Sequence, residues 1–172
     1  MEKKSQLDVF EYSIDAEKQG VNFYMKAAEK FDDPELKGLF KKLAKEEGVH
    51  IKTFVKFKED AEKKGEIEPF NVEDIDDYLE SIVHEGIFPR GKDAAQQLEG
   101  IDNPAAACAL AMQAEKNAIL LYSELARLSK SKNQKKVLEK MVKEEKSHMV
   151  MLRQVRANHD AEYAALAFGR FF

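Results

Sequence analysis

Lys45-Glu46-Glu47-Gly48-Val49-His50 and Lys143-Glu144-Glu145-Lys146-Ser147-His148 are the two stretches whose reading decides the fold. They lie 98 residues apart, and the same offset places Ala16-Glu17-Lys18 on Ala114-Glu115-Lys116, Tyr24 on Tyr122 and Ala28 on Ala126. Glu17 precedes Glu47 by 30 residues, and Glu115 precedes Glu145 by 30. Agreement at so many positions under one offset marks an internal duplication of a single supersecondary unit.

That unit is a helical hairpin. Helix one is predicted from about Leu7 to Phe31. Asp33-Pro34-Glu35 then supplies a capping side chain, a proline at the first helical position and an acid for the positive helix end. The helix opened there runs to Lys64, before Gly65. Asp102-Asn103-Pro104 repeats the signal and opens helix three, which runs to about Lys130. After the Ser131 to Asn133 turn, helix four continues to about Asn158, and its tail folds back as a short helix. The breaks inside each pair are short, which makes each pair an antiparallel hairpin. The 65–103 segment is long enough to return along the roughly 45 Å of helix two, so helices two and three run parallel. It contains a predicted short helix from Val72 to His84. The expected architecture is all-α: a four-helix bundle of two hairpins (about 7–64 and 104–158) joined by a long crossover, with short extra helices, in one domain spanning 1–172.

Composition agrees and excludes other classes. The 172 residues are 44% hydrophobic and 35% charged with a net charge of −4, which fits neither a disordered chain nor a nucleic-acid binder. Eight glycines and four prolines leave few breaks in helix. Cys108 is the single cysteine, so no disulfide, Cys-x-x-C pair or four-cysteine metal site forms within these residues. The longest apolar run, Ala105 to Met112, is far short of the roughly 20 residues a membrane span needs. No signal-peptide pattern precedes Phe31, and a reducing, cytoplasmic setting is expected.

In a bundle, positions spaced alternately three and four residues apart face the partners. Helix two presents Leu36, Phe40, Leu43, Glu47, His50, Phe54 and Phe57 along that seam, and helix four presents Leu138, Met141, Glu145, His148, Leu152 and Val155. Helix one gives Phe10, Ile14, Glu17, Val21, Tyr24 and Ala28; helix three gives Cys108, Ala111, Glu115, Ala118, Tyr122 and Leu125. A lone glutamate on a Lys-rich helix is ordinarily a solvated residue. Four seams interrupted at one level are a different matter. Each unpaired carboxylate in a dry interior costs several kcal/mol, and four cannot all stay ionised side by side. The lysines of helix two, at 37, 41, 45 and 52, fall mainly outside. Two divalent cations would balance the four carboxylates. Glu-x-x-His puts both donors on one helix face, and the oxygen-rich set suits iron or manganese better than zinc.

These residues resemble the ferritin-like di-iron carboxylate proteins, in which one Glu from each of two helices joins a Glu-x-x-His from each of the others, and within that group the rubrerythrin family most closely. The resemblance covers nearly the whole chain. It implies that Glu17 and Glu115 are terminal ligands, that Glu47 and Glu145 bridge two iron ions, and that His50 and His148 cap one metal each. It places Tyr24 and Tyr122 beside the cluster as candidate catalytic residues able to hydrogen-bond a ligand carboxylate. Glu46 and Glu144 are candidates for orienting the histidines. There are two departures. Rubrerythrins usually add a four-cysteine rubredoxin-like domain, absent from these residues, so electrons must come from an external donor such as a rubredoxin-type protein. Rubrerythrins also carry a further glutamate one turn after the helix-three ligand, where this chain has Ala118; the matching slot in helix one is Gly20.

The implied activity is reduction of peroxide or dioxygen at a di-iron centre, in the setting of oxidative stress. Iron oxidation for ferritin-type storage, or a manganese catalase-like reaction with manganese or mixed metal, are the alternatives. Cys108 reads as a small buried hydrophobe, and His84 and His159 as surface residues. The stretch from Glu66 to Glu85 holds eight acids and no Lys or Arg. A homodimer is expected, with this acidic segment near a basic helix of the second subunit and the apolar end, Phe168 to Phe172, covered by it.

Overall fold

The structure, a computed structural model, describes residues 6–64, 81, 87, 96–129 and 131–169. It is an all-α ferritin-like bundle. Helix α1 spans Gln6–Lys30, α2 Pro34–Lys64, α3 Pro104–Leu128 and α4 Lys132–His159, with a short α5 over Ala161–Phe168. These bounds lie within one or two residues of the sequence expectation. The predicted helix from Val72 to His84 falls, but for Ser81, outside the described residues, as do His84 and the acidic segment apart from that residue.

Side chains fix where α2, α3 and α5 begin. Asp33 Oδ1 accepts from the Leu36 amide at 2.7 Å ahead of Pro34, and Asn103 Oδ1 accepts from the Ala105 amide at 2.8 Å ahead of Pro104. Asp160 caps α5 through the Tyr163 amide at 2.8 Å. Each cap satisfies a helix-end donor that would otherwise lack a partner.

Contacts between helices give their directions. Glu35 meets Asn158, Lys42 meets Met151 and Glu46 meets His148, so α2 and α4 run antiparallel. Tyr24 reaches Glu115 while Tyr122 reaches Glu17, so α1 and α3 are antiparallel as well. Since α1 and α2 form a hairpin, α2 and α3 are parallel, an arrangement the crossover length allows. Among the described residues of the crossover is a 3-10 turn, Gln96–Leu98, whose Leu98 is buried; Lys30 Nζ donates to the Leu98 carbonyl at 2.7 Å.

The core flanks the centre of the bundle on both sides. Phe10 packs on Phe54 and Phe57 toward one end, and Phe23, Tyr24 and Phe40 stack toward the other. Replacing a fully buried Phe54 by Ala would cost about 3–5 kcal/mol. Every seam position read from the sequence is buried except Val21, which is half-buried. With 3.6 residues per turn, Gly20 and Val21 flank the line from Glu17 to Tyr24 on opposite sides, and Gly20, which the 98-residue offset matches to the buried Ala118, is the one turned inward. His159, expected at the surface, is half-buried in the last turn of α4. There α5 folds back, with Arg156 over the Tyr163 ring at 3.8 Å and Arg153 over Phe168 at 4.5 Å. Among the described residues no helix is long and apolar enough to cross a membrane.

Candidate metal centre

Glu17, Glu47, His50, Glu115, Glu145 and His148 are all buried at one level of the bundle. Their donor atoms form two groups of four, each within 4.8 Å: Glu17, Glu47, His50 and Glu145 in one, Glu47, Glu115, Glu145 and His148 in the other. Glu47 and Glu145 belong to both. Each group draws three members from one hairpin and one from the other.

The imidazoles face the carboxylates through Nδ1. His50 Nδ1 lies 3.0 Å from Glu47, 3.0 Å from Glu145 and 3.6 Å from Glu17. His148 Nδ1 lies 2.9 Å from Glu145 and 3.5 Å from both Glu47 and Glu115. The opposite ring nitrogen of each points across to the other hairpin: His148 Nε2 is 3.1 Å from Glu46, and His50 Nε2 is 3.4 Å from Glu144. An acid at that nitrogen fixes the ring orientation and leaves Nδ1 free to bind a cation. The tyrosines cross in the same way. Tyr24 donates to Glu115 and Tyr122 to Glu17, each hydroxyl holding the glutamate of the opposite hairpin.

Electrostatics report strong competition within the cage. Burial, then the charges of Glu47 and Glu145, push the carboxyls of Glu17 and Glu115 well above the usual range. Burial acts upward on Glu47 and Glu145 also, but the imidazoles of His148 and His50 outweigh it, lowering Glu47 and drawing Glu145 down to about 2. Burial acts downward on the two histidines, and the surrounding carboxylates overcome it and raise both. Burial, followed by the glutamate each one faces, raises the hydroxyls of Tyr24 and Tyr122. The thiol of Cys108, buried away from the cage, is pushed up to about 12 and is inert.

The donor set fits a pair of cations. Both oxygens of Glu145 and Nδ1 of His148 are buried and, although they lie 2.9–3.0 Å from a neighbouring imidazole or carboxylate, none makes a hydrogen bond of proper geometry; such atoms are rare unless something else satisfies them. They converge on the space the other ligands enclose. The carboxylate oxygens and imidazole nitrogens together make a set for iron or manganese.

The rubrerythrin family model matches residues 8–156, nine-tenths of the chain and both hairpins. The chain belongs to the rubrerythrin family. No curated protein and no solved structure matches it significantly. In this chain the positions one turn after Glu17 and Glu115 are Gly20 and Ala118, and both line a cavity of about 20 Å³ against the four carboxylates, with Tyr24 and Tyr122 on its wall. The six glutamates and histidines singled out in the sequence lie together here, with both tyrosines bonded to two of them. Sequence reasoning did not foresee that the supporting bonds cross between hairpins, because an offset repeat shows which residues correspond and not which ones touch. Nor did it find Ile87, a crossover residue on the cavity wall, which lies outside the repeat.

Proposed function

We propose that the chain is a non-haem di-iron oxidoreductase that reduces hydrogen peroxide or dioxygen with electrons from an external donor. The observation that carries this reading is the pair of four-donor groups sharing Glu47 and Glu145 in a buried cage. Two iron ions held there would supply Lewis acidity and two electrons, which with two protons take hydrogen peroxide to two waters or dioxygen to hydrogen peroxide.

The chain's own residues do the rest. Glu17 with His50 would hold one ion and Glu115 with His148 the other, while Glu47 and Glu145 serve both. Glu46 and Glu144 keep each imidazole turned inward, and the tyrosines keep the terminal carboxylates in place, so the donors are aligned before an oxidant arrives. The apolar packing of Phe40, Phe54 and Leu138 around the cage keeps bulk water out. With a single cysteine among the 172 residues, electrons enter from a separate redox centre, as from a rubredoxin-type protein. The reading includes a cytoplasmic homodimer, in which the exposed Phe168 would find cover.

Elemental analysis of the purified protein, followed by stopped-flow oxidation of the reduced form, tests the proposal. Iron at two ions per chain and faster oxidation by hydrogen peroxide than by oxygen are expected. Faster reaction with oxygen, or a hollow many-subunit assembly that accumulates iron, would overturn the peroxidase reading in favour of iron oxidation and storage. Manganese as the retained metal, with peroxide disproportionation, would point to catalase-like chemistry.

A further inference from the structure

One face of the carboxylate cage is covered by no ligand. The cavity there is bounded by small side chains of α1 and α3, among them Ala16, Gly20, Ala114 and Ala118, and no histidine reaches it. Tyr24 and Tyr122 also line it, and among the described residues the crossover contributes Ile87, which is only 7% exposed. Something other than helix geometry must therefore hold this side chain in place. The Ile87 carbonyl accepts a hydrogen bond from Asn117 Nδ2 at 3.1 Å. Asn117 is itself oriented from one turn earlier on α3, where Gln113 Nε2 donates to its Oδ1 at 3.0 Å. With Oδ1 taken, the amide presents its NH2 end to the Ile87 carbonyl. The position matching Asn117 in the first hairpin is Gln19, which is exposed, so the anchor exists on one side of the pseudo-symmetric bundle only.

Resting on the reading above, we propose that Ile87, held by Asn117, sets the size limit of the oxidant: hydrogen peroxide and dioxygen enter the cavity, and organic hydroperoxides are shut out. A cavity needs about 10–15 Å³ to take one water, so the 20 Å³ here suits a molecule of that scale or slightly larger. An alkyl hydroperoxide carries a hydrocarbon group that finds Ile87 in its way. The small residues at 20 and 118 leave room beside the cage, and Ile87 caps how much of that room is usable. Asn117 is a positioning residue, since it acts only through Ile87.

Two variants separate these roles. Ile87→Ala removes the blocking side chain; Asn117→Asp keeps the size of the residue but turns an acceptor toward the Ile87 carbonyl, and it carries the test if Ile87→Ala does not fold. In the reduced, iron-loaded protein, the rate with hydrogen peroxide should exceed that with tert-butyl hydroperoxide by at least about 100-fold, and both variants should narrow the ratio at least about tenfold, the range one or two extra methylene groups command in a tight pocket. The cobalt(II)-loaded protein gives a readout free of redox turnover. Its visible spectrum, titrated with azide and with benzoate, should show a preference for azide that shrinks in both variants. Equal response of the unmodified protein to the small and bulky probes, or ratios unchanged in folded variants, would overturn the proposal. If the iron-loaded protein proved inert to hydrogen peroxide while the cobalt spectra kept the azide preference, the proposed activity would fall and the size limit would stand.

Discussion

Glu17 and Glu145 are both buried glutamates of the same cage, yet replacing them should have unequal consequences. Glu145 belongs to both four-donor groups and Glu17 to only one. Glu17→Gln therefore removes a donor from one ion, and Glu145→Gln removes one from each. An ion that binds only the folded chain, supplied at a hundred times its dissociation constant, adds about 2.7 kcal/mol. Two ions add about 5 kcal/mol, which for a chain of 172 residues raises Tm by about 10–20 °C at about 2–4 °C per kcal/mol. The unmodified protein should show the full rise on adding ferrous ion without oxygen, or manganous ion. Glu17→Gln should show about half of it, with one ion retained per chain, and Glu145→Gln should show almost none. Calorimetric melts with and without metal, followed by elemental analysis after gel filtration, measure both quantities. Equal losses in the two variants, or two ions retained by Glu145→Gln, would refute the shared-ligand reasoning.

Three further outcomes follow from the same geometry. Tyr24→Phe and Tyr122→Phe each delete one buried hydroxyl that donates to a glutamate, and each should cost about 1–3 kcal/mol in urea unfolding of the metal-free protein; no measurable cost would show that these bonds do not hold the carboxylates. Gly20→Ala should stabilise the protein by about 0.5–1 kcal/mol, because α1 gains helix propensity and the new Cβ meets Glu47 Cγ at an ordinary 3.5 Å; a loss of stability in the same unfolding assay would show that the contact is tighter than that. Finally, Glu17, Glu115, His50 and His148 all have raised pKa values, so each keeps its proton to higher pH than usual and that proton competes with a cation most strongly in acid. Metal affinity should rise with pH and binding should release up to four protons, measured by calorimetry in buffers of different ionisation enthalpy; an affinity independent of pH between about 5 and 8 would rule this out.

Much of this was legible in the sequence because the signals were local or repeated. Asp33-Pro34 and Asn103-Pro104 mark helix starts through chemistry confined to a few residues, and both caps form as read. Glu47, His50, Glu145 and His148 stand out because polar groups interrupt a hydrophobic period, and a period is a property of one helix. Val21 was misplaced although the repeat held the answer, because the 98-residue offset matches Gly20, not Val21, to the seam residue Ala118. The crossed bonds from Tyr24 to Glu115 and from Glu46 to His148 depend on how two hairpins dock, and nothing in either hairpin's own sequence encodes its partner's register. Ile87 was invisible for a related reason: it lies outside the repeated hairpins, and its carbonyl is bonded by a residue 30 positions away.

The crossing of donors has a consequence for how the centre responds to dilution. A free half of this chain would carry Glu17, Glu47 and His50 but lack the fourth donor, the phenol for its terminal carboxylate and the acid behind its imidazole. Two separate halves would have to meet about a dyad to complete all of these together, and their ability to hold metal would fade as the protein was diluted. Carrying the halves on one chain makes that meeting intramolecular. Cation capture at this centre is thereby a first-order property of one polypeptide, equally available in a cell that makes many copies and in one that makes few.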